Sequence, residues 1–78
     1  MSPYSKAQTG MAMLKDAVHS LLETKGAAGA SNAEIGRALG IYKGHVGHEG
    51  HISRTILGIM ESEEVVKQDK DSKAWSLR

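Results

Sequence analysis

Three evenly spaced histidines are the residues of this 78-residue chain whose type and spacing most resemble a metal site. His45, His48 and His51 form an H-x2-H-x2-H pattern, and neutral imidazole is a common ligand of zinc and nickel. Structural zinc sites in small domains usually include thiolates, whereas this chain has no cysteine and offers Glu49 or His19 as a fourth ligand. We therefore interpret the three histidines as exposed or phosphate-directed side chains, and we predict no metal or other cofactor. Metal-dependent folding of this segment is the alternative.

Catalytic motifs are absent from the sequence. It lacks the patterns G-x-x-x-x-G-K-[ST], G-x-S-x-G and H-E-x-x-H, and it has no cysteine nucleophile. A chain of this length also has little room to build a pocket beside its core. We expect no enzymatic activity.

Composition and charge predict one small folded domain over residues 1–78. The chain is 40% hydrophobic and 24% charged, which is typical of globular proteins, and 8.4 kDa leaves no room for a second domain. Ten Lys and Arg against nine Asp and Glu give a net charge of +1, so any affinity for nucleic acid must come from local placement of charge. No secretory signal pattern or long apolar run occurs, so we expect a cytoplasmic protein with no membrane partner.

Apolar spacing predicts a first helix over residues 5–25, because apolar residues recur there at steps of three and four. Pro3 before it and Gly26 after it are typical of a helix start and a helix stop. Met13 lies off the apolar stripe with Ala12, so we expect an exposed apolar spot or a homodimer contact. The stripe consists of Ala7, Met11, Leu14, Val18, Leu21 and Leu22.

A capping box predicts the second helix. Ser31 can accept a hydrogen bond at the helix start, and Glu34 stands at the spacing that returns one. The helix should begin near Asn32 and stop at Gly40, after about two turns. The Gly and Ala residues over 26–30 before it predict a turn that could include a short extended segment.

Glycine density predicts an extended turn over residues 41–50, followed by a third helix. This helix should start at about His51 and end around residues 62–64. One face should carry Ile52, Ile56, Ile59 and Met60, and the residues mainly away from that face should be Ser53, Arg54, Thr55 and Gly58.

The tail changes to a two-residue period and predicts a hairpin. Residues 65–68 and 74–77 should be short strands around a polar turn over 69–73. Trp75 and Leu77 would share one face, and Trp75 should belong to the core. The hairpin must pack on the helices, because an isolated hairpin is marginal in water.

Three helices followed by a hairpin resemble the winged helix-turn-helix superfamily, over about residues 7–78. The run from Ser31 to Ile41, SNAEIGRALGI, is similar to the capped first helix of the motif, with the second motif helix at 52–60 and the wing at 65–77. The connection over 41–50 is longer than the roughly three or four residues that are usual there. Residues 43–54 also resemble winged-helix modules attached to restriction-type nucleases. The resemblance implies an α+β fold.

The resemblance also implies binding of double-stranded DNA, with the third helix in the major groove and the wing on phosphates, in a transcriptional regulator or a targeting module. The alternative is a winged-helix protein-interaction module without DNA binding, favoured by the near-neutral net charge and the acidic end of the third helix. Acidic residues that close this helix or lie in the wing also count against contact with DNA. Those acidic residues are Glu61, Glu63, Glu64, Asp69 and Asp71. The residues expected to contact DNA are Lys43, His45, His48, His51, Ser53, Arg54, Thr55, Gly58, Lys67, Lys70 and Lys73, with Arg78 as a further phosphate contact.

Overall fold

Three α-helices precede a two-stranded antiparallel hairpin in the computed structural model, which describes residues 2–44, 47 and 49–78. This α+β order agrees with the prediction and is compatible with a winged-helix layout. The elements are α1 (Pro3–Lys25), a single 3-10 turn (Gly26–Ala28), α2 (Asn32–Ala38), α3 (His51–Ser62), β1 (Val66–Gln68) and β2 (Trp75–Leu77).

Helix α1 begins two residues earlier than predicted. The Ser5 N–H donates to the Ser2 hydroxyl at 3.1 Å, and Pro3 occupies the first turn, where its missing N–H costs nothing. Gly26 ends the helix with φ 59°, which confirms the predicted stop. Residues 2–10 are all exposed, so the first two turns of α1 project beyond the core.

Both ends of α2 are closed as predicted. The Glu34 N–H donates to Ser31 Oγ at 3.1 Å, and the Ser31 N–H donates to a Glu34 carboxylate oxygen at 3.0 Å. The Ser31 backbone N–H, followed by its hydroxyl, lowers the pKa of Glu34. At the other end Gly40 has φ 72°, and the Ile41 N–H reaches the Gly36 carbonyl at 2.8 Å. This Schellman closure explains why the helix stops there.

Helix α3 has the predicted bounds, but the prediction that Ser53 lies on its outward face is wrong. Ser53 is fully buried, while Ile52, expected in the core, is 40% exposed. Ser53 can be buried because its hydroxyl donates to the Asn32 side chain at 2.8 Å. The buried stripe is Ser53, Ile56, Leu57 and Met60.

The predicted hairpin is present, with each strand one residue shorter than predicted. Val66 pairs with Leu77 and Gln68 pairs with Trp75. Ala30 adds a bridge on the other side of β2, exchanging backbone hydrogen bonds with Trp75 at 2.9 and 2.7 Å. The short extended segment predicted within residues 26–30 is therefore present at Ala30.

One hydrophobic core joins all three helices and both strands. Trp75 is 6% exposed, which confirms its prediction as a core residue. In the described part of the chain, no helix combines the length and the apolarity needed to cross a membrane. The buried hydrophobic residues are Val18, Leu22, Ala30, Ile35, Ile56, Leu57, Met60, Val66 and Trp75.

Candidate functional site

The outward face of α3 carries three of the residues predicted to contact DNA. His51, Thr55 and Gly58 are exposed and lie on the side of the helix opposite its buried stripe. The Thr55 hydroxyl donates to the His51 carbonyl at 2.9 Å, so this hydroxyl is already used within the helix. Arg54, also exposed, flanks this face. Ser53, predicted with them, is buried and does not belong to the surface.

Asn32 sets the position of α3 against α2, a role that the sequence did not reveal. Its side-chain nitrogen donates to the Gly50 carbonyl at 3.0 Å, and its side-chain oxygen accepts from Ser53 at 2.8 Å. Gly50 begins α3 with φ 82°. The first residues of the two helices are therefore joined through one side-chain amide.

Tyr42 holds the segment after α2 against both helices. A Cβ on Gly36 would lie 2.9 Å from the Tyr42 ring, and a Cβ on Gly50 would lie at the same distance from it. The Arg37 guanidinium lies 4.5 Å from the centre of the same ring, within the range of a cation–π interaction. Gly36, inside a helix where alanine would be favoured, was the sequence signal for this close contact.

Arg54 and Lys73 converge on one groove beside the outward face of α3. Their groove has a volume of about 330 Å³ and brings together the start of α2, α3 and the hairpin. The basic groove, as we call it, is lined by Ser31, Asn32, Arg54, Gln68, Lys73 and Trp75. Two cationic residues from separate elements therefore line one groove, next to a helix face free of acidic residues over 51–58.

Lys67 and Lys70 line a different groove, of about 550 Å³, with Ala27 and Ala28 on its other side. Strand alternation explains the position of Lys67, which lies on the opposite face of β1 from the buried Val66. The lysines predicted to act together on the wing are thus divided between two grooves.

The turn of the hairpin uses one of its acidic residues internally. The Asp69 carboxylate accepts hydrogen bonds from the Ser72 and Asp71 N–H groups, both at 2.8 Å. These two bonds, that of Ser72 first, lower the pKa of Asp69. Asp69 therefore shapes the turn through hydrogen bonds to its backbone.

The remaining basic candidates lie apart from the basic groove. Lys43 is exposed in the segment after α2 and lines neither of the two grooves. Arg78 is exposed at the end of the hairpin, where its N–H donates to the Val65 carbonyl at 3.0 Å. At the far end of α3, Glu63 pairs with Lys15 of α1 at 3.0 Å.

His45 and His48 lie outside the described residues, and with them the predicted histidine pattern. Within residues 2–44, 47 and 49–78, no group of three histidine, aspartate or glutamate side chains is placed to hold a metal ion.

Comparisons of the chain with known protein families, with curated proteins and with solved structures found no match.

Proposed function

We propose that this chain is a winged helix-turn-helix protein that binds double-stranded DNA through α3 and the hairpin, as a regulator or a targeting module. The convergence of Arg54 and Lys73 on the basic groove is the observation that carries the proposal. Arginine can read a guanine edge or bind a phosphate, and lysine binds phosphate as a point charge. An exposed helix face with a cationic groove at its side suits a helix that enters the major groove.

Charge placement compensates for the small net charge in this proposal. The chain is +1 overall, and none of the six residues that line the basic groove is acidic. The Glu34 carboxylate is bonded to Ser31, which lines this groove, and Asp69 lies close to Lys73, so part of the positive charge is offset locally. Few phosphates would be neutralised, so affinity should be modest and should fall with salt with a small slope.

Duplex binding can be tested by fluorescence anisotropy with a labelled mixed-sequence duplex across a salt series. We expect Arg54→Ala to weaken binding by at least about fivefold, and Lys73→Ala to weaken it and reduce the salt slope by about one. Lys6→Ala, on the projecting part of α1, is the matched control and should bind as the unmodified chain does. No duplex binding at about 50 mM salt, or unchanged binding by Arg54→Ala, would contradict the proposal.

The second groove gives a further comparison within the wing. Lys67 lies on the opposite face of the hairpin from the basic groove, so Lys67→Ala should weaken binding less than Lys73→Ala does. Equal losses for the two variants would indicate that DNA approaches the tip of the wing and not α3.

The projecting part of α1 favours a second candidate, a protein-interaction module. Tyr4 is 74% exposed and Met13 is 69% exposed, and Lys6 is the one charged residue between positions 3 and 14. Exposed apolar side chains with few charges are typical of protein interfaces. Sedimentation that shows self-association without any duplex binding would favour this function over the first.

A further inference from the structure

Gly58 stands at the centre of the outward face of α3, where the fold does not require a glycine. Its backbone is helical, and a Cβ built on it would meet no atom of the described residues within 4 Å. Gly36 and Gly50 differ, because a Cβ on either would press against the Tyr42 ring. Packing within the described part of the chain therefore gives no reason for the missing side chain at position 58.

This glycine lowers the stability of α3. Glycine inside a helix is less favourable than alanine, by an amount that changes the unfolding equilibrium about 2- to 5-fold. At an exposed position with open space around it, that loss is not offset by any contact among residues 2–44, 47 and 49–78. Glycine at position 58 therefore makes α3 less stable on the face that we assign to DNA binding.

Gly58 also lies one turn after the cationic residue of that face. Arg54 and Thr55 precede it by four and three positions, so all three share one side of the helix. A helical side chain leans toward the preceding turn, and a side chain at position 58 would therefore stand beside Arg54. A side chain at position 58 would keep the surface of α3 further from a molecule that Arg54 contacts.

We infer that Gly58 is the point of closest approach between α3 and duplex DNA, and this inference rests on the proposed function. The missing side chain lets the helix lie deep enough in the major groove for Arg54 to reach a base edge or a phosphate. Gly58 is a positioning residue: it forms no bond to DNA itself, and its role is steric.

The test measures stability and duplex affinity on the same three variants. Gly58→Ala should raise the melting temperature by about 3–6 °C and weaken duplex binding by at least about fivefold, so that the two properties change in opposite directions. Gly58→Gln, which adds a longer side chain with good helix propensity, should weaken binding further. Gly10→Ala is the matched control, because Gly10 is also an exposed helical glycine with no atom within 4 Å of a Cβ. It should raise the melting temperature without changing affinity.

The outcomes separate this inference from the proposed function. If the unmodified chain binds DNA and loses affinity with Arg54→Ala, but Gly58→Ala binds equally well, the role of Gly58 is wrong and the DNA-binding function stands. An equal loss of affinity in Gly10→Ala would also overturn the role of Gly58. If the unmodified chain binds no duplex, both proposals fail together.

Discussion

Asn32 joins two helices through one side-chain amide. It donates to the carbonyl of Gly50 and accepts from the buried hydroxyl of Ser53. Both partners lie at the start of α3, so the amide fixes where α3 begins relative to α2. A buried polar group that loses its partner costs more than the bond itself contributes, which makes this residue sensitive to substitution.

We expect Asn32→Ala to lower the free energy of unfolding by about 1–3 kcal/mol, because it removes two hydrogen bonds that join α2 to the start of α3. The Ser53 hydroxyl then keeps only longer bonds to backbone carbonyls, among them that of Gly50 at 3.2 Å. Urea unfolding followed by circular dichroism measures the change. Gln8→Ala, which removes an exposed amide on α1, is the control and should change stability by less than about 0.5 kcal/mol. Equal stability of the two variants would show that the amide is dispensable.

Asp69 makes the stability of the chain depend on pH. Its folded-state pKa is lowered by the N–H groups of Ser72 and Asp71, so its contribution is present at neutral pH and is lost as the pH falls below about 4. In Asp69→Asn the side chain keeps an oxygen acceptor but no longer titrates, so this variant should lose less stability between about pH 6 and pH 3. Glu34, whose pKa is also lowered, supplies part of the remaining dependence. Urea midpoints at both pH values measure the difference, and identical losses in the variant and the unmodified chain would contradict the role of Asp69.

The C-terminal end of α3 forms a helix-stop motif although the residue in its left-handed position is not one that favours this conformation. The Val65 N–H reaches the Met60 carbonyl at 2.9 Å, and the Glu64 N–H reaches that of Glu61 at 3.0 Å, which together form a Schellman motif. Glu64 has φ 63° at the position where glycine is preferred. A negative charge at a helix C-terminus is also unfavourable.

Glu64→Gly should therefore raise the free energy of unfolding by about 1 kcal/mol, by relieving the left-handed backbone. Glu61→Gly removes the same charge from a helical position and should lower it by up to about 1 kcal/mol. Thermal unfolding of both variants measures the two changes in stability. If both substitutions changed the free energy of unfolding in the same direction, the charge and not the backbone conformation would control the stability of this helix end.

At the scale of the whole molecule, Gly29 and Ala30 connect the helical part to the hairpin. Ala30 pairs with Trp75, whose side chain belongs to the core shared by the three helices. Gly29 has φ 69°, and a Cβ there would collide with the Trp75 carbonyl. The approach of these two backbones requires a residue without a side chain.

Gly29→Ala should cost about 2–4 kcal/mol, since it combines a strained backbone with a collision against β2. Gly26→Ala is the control, because Gly26 has a similar φ of 59° but open space around a Cβ, and it should cost about 1–2 kcal/mol. Chemical denaturation of both variants separates collision from backbone strain. A smaller cost for Gly29→Ala than for Gly26→Ala would show that the hairpin can move away from residue 29.

Local signals made the elements predictable to within one or two residues. The capping box at Ser31, the stop at Gly40 and the hairpin turn before Trp75 all act between neighbours in sequence, and each is present in the structure. Ser53 could not be placed correctly in the same way. Its burial depends on Asn32, which lies on another helix and supplies the hydrogen bond that a buried hydroxyl needs.

The amino-acid sequence by itself determined the number and order of the α-helices and strands, their limits to within two residues, and Trp75 as a core residue. These properties follow from periodicity, capping and turn chemistry, which operate over a few residues. Only the tertiary structure decided which charged residues share a surface. It placed Arg54 and Lys73 on one groove and Lys67 on another, because the rotation of α3 and the face of β1 depend on packing between elements distant in sequence.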